Sequence, residues 1–128
     1  MKEKIKDIIL DTLPKEITEA VYIFGSYGTE YFDKDNSDID IAWFTDKEIP
    51  YEDLASYEFE LCEKLGCEVD LVIPDKSNIY FLKEVLSRQP LVINSEKFSD
   101  WLDRFNDWVL SESYFIQNVV DERCGRYE

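Results

Sequence analysis

The chain has 128 residues, 45% hydrophobic and 15% aromatic, which is ample for one domain built on a single core. Fourteen basic against 29 acidic residues give a formal charge of −15, and there is no histidine. This balance argues against direct nucleic-acid binding, where Lys and Arg contacts to phosphate carry most of the affinity, and against anionic membrane surfaces. A basic protein partner or a metal-neutralised nucleotide suits it better.

The charged stretch from Met1 to Asp7 lacks the apolar core of a signal peptide, and no apolar run approaches membrane-spanning length. A cytoplasmic protein is the expectation. Ile5, Ile8, Ile9 and Leu13 recur at helical spacing and predict an amphipathic first helix ending near Pro14. Ala20 to Phe24 is an apolar, β-rich run and reads as the first strand. Ser26 to Phe32 is expected to open a short helix, and Asp33-Lys34-Asp35-Asn36-Ser37 is turn chemistry.

The second strand begins Asp38-Ile39-Asp40-Ile41, alternating polar and apolar. Side chains two apart on a strand share a face, so Asp38 and Asp40 project together while Ile39 and Ile41 enter the core. Pro50 precedes a second amphipathic helix with Leu54, Tyr57, Leu61 and Leu65 on its inner face and Gly66 as its stop. The third strand runs from Glu68 to Ile73, with Val69, Leu71 and Ile73 in one stripe and Asp70 in the other.

Ser77 is expected to cap a helix holding Ile79, Leu82, Val85 and Leu86. Leu91 to Asn94 reads as a fourth short strand. A long helical pattern follows at about 97–123, and its Trp101, Phe105, Trp108 and Phe115 are expected in the core. Any of them left exposed would form an anchor patch for another protein. Arg88 is expected at the surface, with a triphosphate or partner contact as the alternative. Three cysteines without histidine make a poor zinc set, so Cys62, Cys67 and Cys124 are expected as reduced thiols. No repeat or linker interrupts the order, which predicts one α+β domain over 1–128.

The chemistry concentrates at Gly25-Ser26, at Asp38 and Asp40 after an interval of eleven residues, and at Asp70, thirty residues past Asp40. A glycine lets the backbone approach a phosphate, and Ser26 adds a hydroxyl donor at the expected helix start. If the second and third strands are neighbours, Asp38, Asp40 and Asp70 converge on one surface. Three such carboxylates repel one another and call for cations. Hard Mg²⁺ takes oxygen ligands, and two such ions can clamp attacking and leaving oxygens during displacement at phosphorus. Asp70 could also take the proton of an attacking hydroxyl.

Gly25-Ser26 with Asp38-x-Asp40 and the later Asp70 resembles the signature of the polymerase-β-like nucleotidyltransferase superfamily. The small size is similar to its minimal nucleotidyltransferases (MNT). Leu86-Ser87-Arg88-Gln89-Pro90-Leu91-Val92-Ile93-Asn94-Ser95, followed by an aromatic helix, resembles the C-terminal half of antitoxins from HEPN/MNT toxin–antitoxin pairs. The resemblance implies a small mixed β-sheet with flanking helices and a hetero-oligomer with a HEPN ribonuclease toxin. It also implies transfer of AMP from ATP, with Mg²⁺, to a tyrosine hydroxyl of that toxin. Asp38, Asp40 and Asp70 would be the metal-binding and catalytic residues, with Gly25 and Ser26 holding the nucleotide. Relatives often read Tyr-Ala-Arg-Gly after Gly-Ser, whereas this chain has Tyr27-Gly28-Thr29-Glu30, replacing an arginine and adding an acid. A binding antitoxin with little or no catalysis is therefore the alternative. Nucleotide transfer to a small molecule or to tRNA ranks lower, for want of a larger substrate domain or a basic face.

Overall fold

Alternation along the strands decides the layering. The computed structural model describes residues 2–25 and 38–124, with side chains described for 4–25 and 38–111. The chain groups into two compact units, 1–95 and 96–128.

In the first unit, helix α1 (Lys2–Thr12) stops short of Pro14, whose ring and missing N–H cannot continue a helix. A single 3₁₀ turn (Lys15–Ile17) leads into strand β1 (Ala20–Phe24). Strand β2 (Ile39–Phe44), helix α2 (Tyr51–Leu65), strand β3 (Val69–Val72), helix α3 (Ile79–Leu86) and strand β4 (Pro90–Ile93) follow. The sheet order is β3-β2-β1-β4. β1 is antiparallel to both β2 and β4, whereas β2 and β3 are parallel and joined through α2. The fold is thus α+β on a mixed four-stranded sheet, as expected. The helix expected over 26–32, the turn at 33–37, and Ser26 itself lie outside the described residues.

One face of the sheet carries Val21, Ile39, Ile41, Trp43, Val69 and Leu71, packed with Ile9 of α1, Leu13 just after it and Leu61 of α2. Leu54, Tyr57 and Leu65 pack against the same cluster, so the inner face of α2 is the one its spacing predicts. Pro50 sits at its N-cap and Gly66 at its C-cap, in the left-handed region with φ 70°. There Gly66 N–H closes on Cys62 O at 2.9 Å. Trp43 is fully buried and donates from Nε1 to Thr18 Oγ1 at 2.9 Å, while Thr18 Oγ1 donates to Pro14 O at 2.6 Å. This relay ties the middle of the sheet to the segment entering β1. Trp43→Phe keeps most of the apolar volume but removes the indole donor, and should cost about 1–3 kcal/mol in denaturant unfolding.

The opposite face buries Tyr22, Phe24, Ala42 and Phe44, and meets Leu82 and Val85 of α3 at full burial. Phe24 and Phe81 of α3 meet edge to face, centroids 5.1 Å apart. Asn78, rather than Ser77, caps α3, accepting from Phe81 N–H at 3.3 Å. Ser77 instead donates its N–H and hydroxyl to Asp75 Oδ1 in an Asx turn, and those bonds lower the Asp75 pKa.

The second unit carries helix α4 (Glu96–Cys124). Phe98, Trp101, Phe105 and Trp108 recur three or four residues apart, and successive rings lie 5.4, 5.5 and 6.2 Å from one another. Phe105 is buried, but Trp108 is 45% exposed and Leu110 70% exposed. The core expectation thus fails at Trp108; the side chain of Phe115 lies outside the described residues. Among the described residues no helix is long and apolar enough to cross a membrane.

Candidate active site

β1 ends where the second face meets solvent, and its last residue pairs with the first of two aspartates. Phe24 lies opposite Asp40, and Asp40 lies opposite Asp70 in the parallel register. Phe24, Asp40 and Asp70 therefore form one row across three strands on the α3 side of the sheet. Ile39 and Ile41 are buried on the other side, at 3% and 0% exposure, so alternation aims Asp40 as expected. Asp38 immediately precedes β2 and is exposed. The adjoining Ile39 N–H donates to Glu68 O at 3.0 Å, which holds the start of the parallel pair.

β3 is an edge strand, and its position beside Asp40 is fastened from outside. Glu58 of α2 accepts from Leu71 N–H at 2.9 Å, and Cys62 Sγ–H donates to Val69 O at 3.9 Å. Both contacts flank Asp70. Cys62 is a free thiol, and burial pushes its pKa up. Neither Glu58 nor Cys62 carries a periodicity signal for this role; each was legible only as an ordinary helix residue.

Gly25 follows Phe24 with φ 72°, in the left-handed region. A Cβ at this position would run into Asp40 Oδ2. Glycine is thus required twice over, by backbone conformation and by the carboxylate resting against its Cα. Its carbonyl accepts from Arg88 Nη2 at 2.8 Å, across 63 residues of sequence. Arg88 is half-buried, partly at the surface as expected and partly held by this contact.

The Asp40 carboxyl has a raised pKa, first through burial and then through the negative charges of Asp70, Asp38 and Glu84. Among the described residues, the charges that shift it all have the same sign. Such a carboxylate is stabilised by a cation placed among its neighbours, and the all-oxygen donor set suits a hard divalent ion. Among the described residues no three acidic or thiol side chains are gathered closely enough to hold an ion as they stand. The shared face is there; a closed ligand shell is not. A cavity of about 290 Å³, lined by Leu10, Leu13, Thr18 and Val92 among others, lies toward the opposite end of β1 from Gly25. The chemistry of the carboxylate row, rather than that hollow of mixed lining, marks the candidate site.

The family described as Polymerase beta, Nucleotidyltransferase matches residues 3–98, and the chain belongs to that family. No match is found among curated protein sequences. Among solved structures, the chain resembles one from the complex of a tri-AMPylated Shewanella oneidensis HEPN toxin with an MNT antitoxin. There the identity is 20%, the TM-score 0.63, and the match covers 95% of this chain and 98% of that one. A toxin–antitoxin structure with AMP-PNP matches at 23% identity, over 94% of this chain and 96% of that one, with a TM-score of 0.63. An MntA–HpeT toxin–antitoxin carrying two Asp-to-Glu substitutions matches at 20% identity, over 95% and 97%, with a TM-score of 0.64. At these identities the likeness is one of fold.

Proposed function

We propose that this chain is a Mg²⁺- and ATP-dependent nucleotidyltransferase that acts as the antitoxin of a HEPN ribonuclease toxin. It transfers AMP to a tyrosine hydroxyl of the toxin and so silences it. The observation that carries the chemistry is the Asp40–Asp70 pair, set in register beside Gly25 in a chain of the nucleotidyltransferase family. What supports the biological role is the likeness over nearly the whole chain to structures of HEPN toxin with MNT antitoxin, one of them with a tri-AMPylated toxin.

In this reading the whole of 1–128 works as one minimal nucleotidyltransferase. Asp38, Asp40 and Asp70 would hold Mg²⁺, which when bound supplies neutralising charge for the triphosphate. Gly25, with Ser26 beyond the described residues, admits the phosphates to the carboxylate row. The acceptor oxygen bonds to the α-phosphorus, the bond between the α- and β-phosphates breaks, and pyrophosphate leaves. Asp70, at the exposed end of the row, takes the acceptor's proton. On α4, the exposed Trp108 and Leu110 offer the apolar, aromatic character of a protein-binding surface.

A catalytically weak antitoxin that neutralises by binding is the second reading, favoured by Tyr27-Gly28-Thr29-Glu30, where the arginine of relatives is missing. One experiment separates the two. ATP labelled at the α-phosphate is incubated with Mg²⁺, this protein and the HEPN protein encoded beside it, in parallel with Asp38→Asn/Asp40→Asn. Label on the partner that disappears with the double variant is expected. A stable complex with no label, and neutralisation by both proteins, would replace catalysis with binding.

A further inference from the structure

The turn between α3 and β4 has no part in the carboxylate row, yet it reaches the residue on which that row leans. Arg88 sits in this turn, half-buried, with one guanidinium N–H on Gly25 O at 2.8 Å. A guanidinium has five N–H donors. The other four meet no acceptor among the described residues. The ion pairs among the described residues include Lys64–Glu60 and Lys76–Glu19, and Arg88 is paired with no acidic side chain among the described residues. In a protein of net charge −15, an arginine held on the glycine that abuts Asp40, with no carboxylate partner among the described residues, is suited to an anion brought from outside.

The sequence supplies the complementary fact. From Ser26 to Phe32, the stretch that follows Gly25, there is no lysine or arginine, and there is one glutamate. A triphosphate entering at Gly25 finds no cation along that segment. Arg88 reaches the same point from a distant part of the chain.

We propose that Arg88 is a phosphate-binding residue of the nucleotide site: its guanidinium, aimed by the Gly25 carbonyl, grips the triphosphate that Gly25 admits. The inference rests on the nucleotidyltransferase reading above. A planar fork bound at one corner keeps its remaining donors in a fixed direction, which suits two phosphate oxygens at once. The tether to Gly25 sets the fork before the nucleotide arrives, so less side-chain freedom is lost on binding.

The test is calorimetric titration of the full-length protein, in Mg²⁺, with the α,β-methylene analogue of ATP. Wild type, Arg88→Lys and Arg88→Met are compared, and Tm is measured for each. Arg88→Met is expected to weaken binding by about 10- to 100-fold, the usual loss for hydrogen bonds to a charged group. Arg88→Lys, which keeps the charge without the fork, should recover part of that loss. Binding by Arg88→Met equal to wild type overturns the inference. So does a purely structural outcome, with Lys and Met variants equally weak and equally lowered in Tm. A wild-type protein that does not bind the analogue sinks the nucleotide reading itself, whereas wild-type binding that Arg88→Met leaves unchanged sinks only the role of Arg88.

Discussion

Asp40→Asn is expected to abolish nucleotide transfer and, in the same protein, to raise the Tm of the metal-free form. The loss of activity follows from removing the central carboxylate of the row, the one opposite Asp70 and against Gly25. Charge stabilisation by a bound metal is worth several kcal/mol in a phosphoryl-transfer transition state, so a fall of about 10³-fold or more is expected. The gain in stability follows from the sign of the pKa shift. Burial and the charges of Asp70, Asp38 and Glu84 raise the Asp40 pKa above its unfolded value. The fold therefore disfavours the ionised form. That penalty is absent below the ordinary aspartate range near about 4, grows as pH rises through it, and is complete above the raised native value. Asparagine has the same shape and no charge. The Tm difference between variant and wild type should be present at pH 7 without Mg²⁺ and shrink on acidification below about pH 4. Adding Mg²⁺ with ATP should raise the Tm of wild type and not that of the variant. Thermal melts across pH, with and without the metal nucleotide, check each part; a variant less stable than wild type at pH 7 would count against the electrostatic account.

Gly25→Ala should fail in the opposite manner, losing both activity and stability. Its φ of 72° costs an L-residue about 1–2 kcal/mol. The added methyl also displaces the Asp40 carboxylate that occupies its space. Gly66 provides the control within the same fold. It has nearly the same φ, 70°, and a Cβ there meets nothing within 4 Å. Gly66→Ala therefore isolates the backbone contribution, and the excess destabilisation of Gly25→Ala measures the steric contact with Asp40. Misplacing a reacting group by an ångström typically costs about 10²-fold in rate, and Gly25→Ala should lose at least that while Gly66→Ala transfers normally. Equal losses of stability in the two variants, with activity intact in both, would show that the contact is unimportant.

Much of this arrangement could be read from the chain because it rests on local periodicity. Alternation over Ile39, Asp40, Ile41 and over Val69, Asp70, Leu71 assigns each side chain to a face, and Pro50 and Gly66 bracket α2 by their own backbone limits. What escaped was set by contacts that no window of neighbouring residues contains. Arg88 meets Gly25 across 63 residues, and Glu58 meets Leu71 because a helix happens to cross an edge strand. The cap of α3 falls on Asn78, one residue past the expected Ser77, because both are good caps and the Asx turn at Asp75 claims the serine. Trp108 shows the limit of helical spacing, which identifies an apolar stripe without saying how far along the helix that stripe is covered.

The position of β4 at the edge beside β1 has a kinetic consequence. β1, β2 and β3 find one another through local segments, whereas Ala20 must wait for Ile93 before the last strand can pair. β4 is also the last of the four strands in chain order, so during synthesis it is the last to become available for pairing. A chain still emerging from the ribosome can therefore carry the aspartates on three strands before Arg88 and the strand that follows it have been made. If Arg88 serves the nucleotide, competence to handle it would then arrive only with that final docking event.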